Sequence, residues 1–164
     1  MMRITTVATV CVFVVASCAT AAEIKAADFA TKAAQSDMFE MEAAHLVAEK
    51  GVSAEVKTFA GDMMKDHHKS TEGLKDAAAK DKVTLPVDMG DGLRKKLEAL
   101  KPLSGPTLDA AYVATQVSVH TDAVALFDKF SKDGEGGALK SFAQKTYPTI
   151  RMHLVRIRNF NVEQ

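Results

Sequence analysis

The chain of 164 residues contains no tryptophan, and aromatic residues make up only 6% of it. Sheet-rich domains draw their cores from aromatic and β-branched runs, and such runs are scarce here beyond the N-terminus. Alanine is abundant instead, which favours helix. Charge of one sign is also missing, since 21 Lys and Arg balance 21 Asp and Glu. With no basic patch or tail, nucleic acid is not an expected partner. No Gly-x-Ser-x-Gly elbow, phosphate-binding glycine loop or cysteine nucleophile is present. No apolar run reaches the ~20 residues that span a bilayer comfortably.

Cysteine is nearly absent as well: Cys11 and Cys18 are the only two. Both fall in a segment that reads as a signal peptide, residues 1–22. Arg3 supplies its positive end, residues 7–16 its short apolar stretch, and Ala19-Thr20-Ala21 a small-residue cleavage site before Glu23. The same segment contains Val15-Ala16-Ser17-Cys18, which looks like a bacterial lipobox. Simple cleavage implies a periplasmic or otherwise exported protein; lipidation of Cys18 implies one anchored in the envelope. Both readings stand at this point. Either way the domain that follows, residues 23–164, has no disulfide and no thiolate ligand. Helix packing alone must hold it together.

Four long helices are expected, at about residues 26–50, 53–80, 106–130 and 138–160. Gly51 reads as the residue just past the first helix and Ser53 as the N-cap of the second. Only two or three residues separate this pair, so they form an antiparallel hairpin. In the first helix, Ala30, Ala34, Met38, Met41 and Ala48 make the apolar stripe, with Ala33, Ala44 and Val47 beside it. Residues 81–105 form a crossover punctuated by Pro86, Gly90, Gly92, Pro102 and Gly105, with a short helix expected at 91–100. Ser104 or Thr107 caps the third helix. Residues 132–137 make a turn into the fourth, where Pro148 is expected to kink the helix and to free a carbonyl near its middle. A hairpin, a long crossover and a second hairpin define an all-α, ferritin-like four-helix bundle.

The helical seams carry the unusual feature. Val56, Ala60, Met63, His67, Ser70, Leu74 and Ala77 recur at the spacing of one buried helix face, and His67 occupies a core position on it. His120 does the same in the seam Val113, Gln116, His120, Ala123, Phe127, and His153 in Ala143, Thr146, Ile150, His153, Ile157. Mirroring positions about the two hairpin turns, at 1.5 Å per residue, sets His67 opposite Ser36 or Asp37, with Glu40 about 6 Å along the axis. His120 and His153 come within one turn of each other. A shared polar layer inside the bundle follows.

Several motifs together resemble the DUF4142 family of bacterial envelope proteins: residues 59–64 followed by Asp66-His67, Glu40 and Glu42, Ser104-Gly105 through Asp109 and Tyr112, His120 through Phe127, Phe142-Ala143, and Pro148 through His153. The resemblance spans roughly residues 29–157. It implies a ferritin-like fold and an exported location, and it implies no reaction.

Three imidazoles and a carboxylate suit Zn²⁺, Fe²⁺ or Cu²⁺, which makes His67, His120, His153 and Glu40 the candidate ligands, with Asp37 and Asp66 as supports or substitutes. A standard di-iron centre is a poor match, because Met64 and Ile150 stand where its Glu-x-x-His motifs need glutamate. Glu42 and His45 form such a motif, but on a face expected to be solvated, as is His68. Met38, Met41, Met63, Met64 and Met152 raise copper, although methionine also fills irregular cores. Tyr112 and Tyr147 read as packing residues with hydroxyls at polar edges. The rival to a metal site is a purely structural histidine layer in a non-catalytic envelope or stress-related interaction protein. An oxidase- or peroxidase-like activity would need a redox metal and an open coordination position in addition. Protein partners and homo-oligomerisation stay open.

Overall fold

A computed structural model describes residues 24–160 and contains five α-helices: α1 (Ala26–Lys50), α2 (Ala54–Lys80), α3 (Gly90–Leu100), α4 (Gly105–Asp133) and α5 (Ala138–Arg158). No strand occurs among the described residues. The segment read as a signal peptide lies outside them. α1 packs along α2 and α4 along α5, and the two hairpins meet through α1 against α4 and α2 against α5. The crossover carries α3, which lies against α1 and α4. The expected bundle of two hairpins joined by a crossover is therefore present, and the helix ends agree within three residues, with α4 running to Asp133 rather than 130.

The buried face of α1 departs in part from the expected stripe. Ala30, Ala33, Ala34, Ala44 and Val47 are buried as expected, while Met38, Met41 and Ala48 are partly exposed. Phe29, Ala33, Asp37, Glu40, Ala44 and Val47 follow the same i, i+3, i+4 spacing inside, and two of them are acids. The face is therefore turned from the methionines towards Asp37 and Glu40.

This choice divides the core in two. One apolar cluster gathers Phe39, Val47, Phe59, Met63, Tyr112, Leu154 and others with Leu97 and Leu100 of α3. The second gathers Phe29, Ala33, Leu74, Phe127, Phe130, Phe142 and Ile150. Phe29 stacks on Phe130 at 4.1 Å between ring centroids and meets Phe127 edge-on at 4.9 Å. On every long helix a polar residue of the layer falls between the contributions to these clusters: Asp37 on α1, His67 on α2, His120 on α4 and His153 on α5, with Glu40 and Gln116 one turn into the first cluster.

Carboxylates from distant elements satisfy the N–H groups at three helix starts, which otherwise lack partners. Glu135 accepts from Ala26 N at 3.0 Å. Asp109 on α4 accepts from Val52 N and Ser53 N, at 3.1 and 2.7 Å. Asp81, just past α2, accepts from Ala138 N and Leu139 N at 2.9 and 2.7 Å. Ser53 is the N-cap of α2 as expected, its hydroxyl accepting from Val56 N. Ser104 precedes α4 without a side-chain cap bond, and Thr107 lies inside that helix.

Gly51 is needed for a reason other than the expected helix-ending geometry. Its φ is −72°, open to any residue, but an added Cβ would lie 2.5 Å from Asp109 Oδ1 and 2.7 Å from Val47 O. α5 runs on through Pro148, and the carbonyl that the proline deprives of an N–H belongs to Gln144, four residues earlier. Both residues are solvent-exposed, so the carbonyl lies on the water side rather than beside the histidines.

Two glycine substitutions separate these effects. Gly51→Ala is expected to destabilise by about 1–3 kcal/mol through overpacking. Gly61→Ala, in exposed space with nothing within 4 Å, is expected to stabilise by about 0.5–1 kcal/mol through helix propensity. Urea unfolding of both variants measures the two signs.

Candidate metal centre

His67, His120 and His153 are 6%, 1% and 2% exposed, and Asp37 and Glu40 are buried with them. Each histidine comes from its own helix because each sits on the buried seam at mid-helix. The ring centroids lie 6.0 Å (67–120), 5.9 Å (67–153) and 5.6 Å (120–153) apart. One ligand nitrogen of each lies within 4.8 Å of the others. These three buried histidines can hold a metal ion.

Each ring is held by an acceptor on one nitrogen. His67 Nδ1 donates to Asp37 Oδ1 at 2.7 Å, and Asp37 Oδ2 also accepts from Thr71 Oγ1 at 3.2 Å. His120 Nδ1 donates to the Gln116 carbonyl at 3.2 Å and lies 3.5 Å from Glu40 Oε1. His153 Nε2 donates to Asp66 Oδ2 at 2.9 Å. A carboxylate or carbonyl can only accept, so these contacts place the proton on the outer nitrogen and direct a lone pair from the other. The remaining nitrogens, His67 Nε2, His120 Nε2 and His153 Nδ1, have no hydrogen-bond partner among the described residues. Acceptors of this kind fix tautomer and ring orientation in metal-binding histidines.

Asp37 and Asp66 stand behind histidines in the supporting places expected of them. Glu40, expected as a direct ligand, faces Gln116, whose Nε2 donates to Glu40 Oε2, and it is outside the three-histidine group. Gln116 belonged to the predicted seam, but nothing in the sequence marked it as Glu40's partner. His45 and His68 are exposed as expected, and so is Glu42. Met63 packs in the first apolar cluster, and Met152 is 56% exposed. Tyr112 departs from the expected polar edge: it is fully buried and its hydroxyl has no partner among the described residues.

Burial sets the electrostatics. It pushes the Glu40 carboxyl up to about 7, against the opposing pull of His67 and the Gln116 amide, with Asp37 adding to the rise. It pushes His120 down to about 3, reinforced by His67 and His153. Burial also depresses His153, only partly countered by the Asp66 hydrogen bond. For His67, burial opposes protonation, but the Asp37 hydrogen bond and charge, with Glu40 and Asp66, outweigh it and raise the pKa. Tyr112 is raised well above the ordinary phenol range by burial and by Glu40.

A helical bundle with a buried, oriented histidine layer is the class of protein that this fold and site define. The chain belongs to DUF4142, a domain of unknown function whose family profile matches residues 14–160. Among solved structures it is similar to a DUF305 protein of Streptomyces coelicolor, named as a candidate secreted protein, at 13% identity and a TM-score of 0.66. That match covers 81% of this chain and 90% of the other. A DUF305 fragment from Deinococcus radiodurans is similar at 12% identity and a TM-score of 0.69, covering 81% and 92%. At these identities the likeness concerns the fold. No functionally curated protein matches the sequence.

Glu40 and His120 oppose each other in acid. Between pH 4.5 and about 7 the folded state keeps Glu40 protonated while the unfolded chain ionises it, so this contribution to stability is lost as pH rises. His120 stays neutral in the fold while the unfolded chain protonates below 6.5, so its contribution is lost as pH falls from 6.5 towards 3. Glu40→Gln removes the Glu40 titration, together with the Glu40 charge that adds to the rise at His67, and leaves His120 in place. Metal-free Glu40→Gln is therefore expected to gain stability relative to the parent as pH is raised from 4.5 to 7, by on the order of 3 kcal/mol, measured by urea unfolding at several pH values.

Proposed function

We propose that this is an exported metal-binding protein that holds one divalent first-row transition ion through His67, His120 and His153. Three buried histidines carry this reading: each offers a ligand nitrogen within 4.8 Å of the other two, and each has one ring nitrogen held by an acceptor and one without a partner among the described residues. A tetrahedral ion at 2.0–2.1 Å spaces its ligands about 3.4 Å apart, within reach of small rotations of the rings. Imidazole donors suit zinc, copper and iron, and three protein ligands leave a position for water or another ligand. Asp37 and Asp66 orient His67 and His153, and Glu40 and Gln116 line the back of His120. No histidine ligand set of this kind matches a di-iron centre.

Export is supported by the signal-like segment at residues 1–22, with periplasmic release or anchoring through a lipidated Cys18 as its two forms. No helix among the described residues is long and apolar enough to cross a membrane. The ferritin-like assignment rests on the connectivity, with one long crossover between two hairpins. The competing reading, a non-catalytic interaction protein with a structural layer, draws on the Asp37–His67 and Asp66–His153 contacts, which need no ligand. It leaves three inner nitrogens without a partner, an expensive arrangement for buried polar atoms.

Metal binding is tested by elemental analysis and thermal unfolding of the exported chain after exposure to Zn²⁺, Cu²⁺ or Fe²⁺ and dialysis. About one bound ion is expected. At a free concentration a hundredfold above Kd it should stabilise by about 2.7 kcal/mol, on the order of 10 °C in Tm. Substituting His120 by Gln should remove most of this rise. A folded parent that takes up none of the three metals overturns the reading in favour of a structural layer. Binding should also weaken on acidification, beginning above pH 6.5, because the proton on His67 competes with the ion and its pKa is raised; isothermal titration between pH 6 and 8 measures the slope.

A further inference from the structure

An open groove of about 430 Å³ lies away from the histidine layer, where α3 leans over α1 and α4, a volume within the range of small-molecule sites. Its walls are mainly apolar: Ala33, Val119 and Phe127 are buried core residues, and Ile24, Leu93 and Leu126 are partly buried around them. The polar residues are unevenly charged. Lys32, Lys96 and Lys129 line it against a single acid, the exposed Asp122.

What sets these lysines apart is where they converge, around one apolar trough. Like most lysines of the chain, and unlike Lys75, Lys101 and Lys132, they form no ion pair among the described residues. Lys96 donates to the Ser118 hydroxyl at 3.4 Å. Lys96 and Lys129 are also partly buried, as long side chains are when the stem covers apolar surface and the charged end stays in water. An apolar trough of this volume explains an acyl chain, and three uncompensated ammonium groups explain an anionic head. A peptide or a neutral apolar compound would explain only the first.

We propose that the groove between α1, α3 and α4 binds a single-chain anionic amphiphile, its acyl chain along Val119, Leu126 and Phe127 and its carboxylate or phosphate among Lys32, Lys96 and Lys129. The site is independent of the metal reading, since none of its residues belongs to the histidine layer.

The test is isothermal titration of the exported chain with dodecanoate, with lauroyl lysophosphatidylglycerol and with the uncharged dodecyl maltoside, each below its micellar concentration. One-to-one binding of at least one anion, at least tenfold tighter than the maltoside, is expected. The tighter anion identifies a fatty acid or a phospholipid as the source. Lys96→Glu/Lys129→Glu should weaken that anion at least tenfold while leaving the helical circular dichroism and Tm near the parent's. Ala123→Trp, which fills the trough from α4, should weaken all three compounds. Absence of saturable binding, equal affinity for the neutral compound, or indifference to both variants overturns the proposal. So does sedimentation or limited proteolysis showing the groove covered by a second copy of the chain or by its own N-terminal segment.

Discussion

The Asp37–His67 contact is the point on which the remaining structure depends. A carboxylate and an imidazole 2.7 Å apart, both shut off from water, are stable only together. Removing one partner of such a pair leaves an uncompensated buried charge and typically costs about 3–5 kcal/mol. The pair draws Thr71 towards Asp37 and raises the proton affinity of His67. That in turn disfavours a proton on His120, which depends on the Gln116 carbonyl and the Glu40–Gln116 pair instead. Each of the four long helices contributes at least one member, so the layer ties all four together at one height.

This tie supplies specificity that the apolar clusters on either side lack. Alanine-rich faces are similar from turn to turn and tolerate sliding. Moving one helix by a single turn, about 5.4 Å, would carry its polar member into an apolar cluster, where it would lose every partner. The layer is thus a register device whether or not it holds an ion. What a register device does not require is a set of inner nitrogens left without partners. Those nitrogens turn a packing feature into a candidate site, and the acceptors on the other ring nitrogens leave their lone pairs available.

The amphiphile groove arises from a different constraint. α3 is short and amphipathic, and it anchors through Leu97 and Leu100 to the first apolar cluster only. The second cluster, around Phe127 and Ala33, has no such cover at that edge. The crossover therefore does two things: it returns the chain to the start of α4, and it leaves a trough where its helix stops short.

The sequence by itself determined the long helices, the two hairpins, the crossover and the three seam histidines, because each depends on local chemistry. Apolar spacing, glycine and proline breaks, and short turns act within a few residues, and a histidine on an apolar seam is carried inward by its neighbours. Tertiary structure decided the rest. The angle of α1 could not be read from its alanines and methionines, because Asp37 and Glu40 are worth burying only when His67, Gln116 and Thr71 come to meet them. The same holds for Asp109, Asp81 and Glu135, which look like surface acids until the fold sets helix N-termini in front of them. Gly51 is legible as a break but not as the clearance that Asp109 requires. In each case a polar group's preference for the interior is a property of its partner, and that partner is supplied by a distant part of the chain.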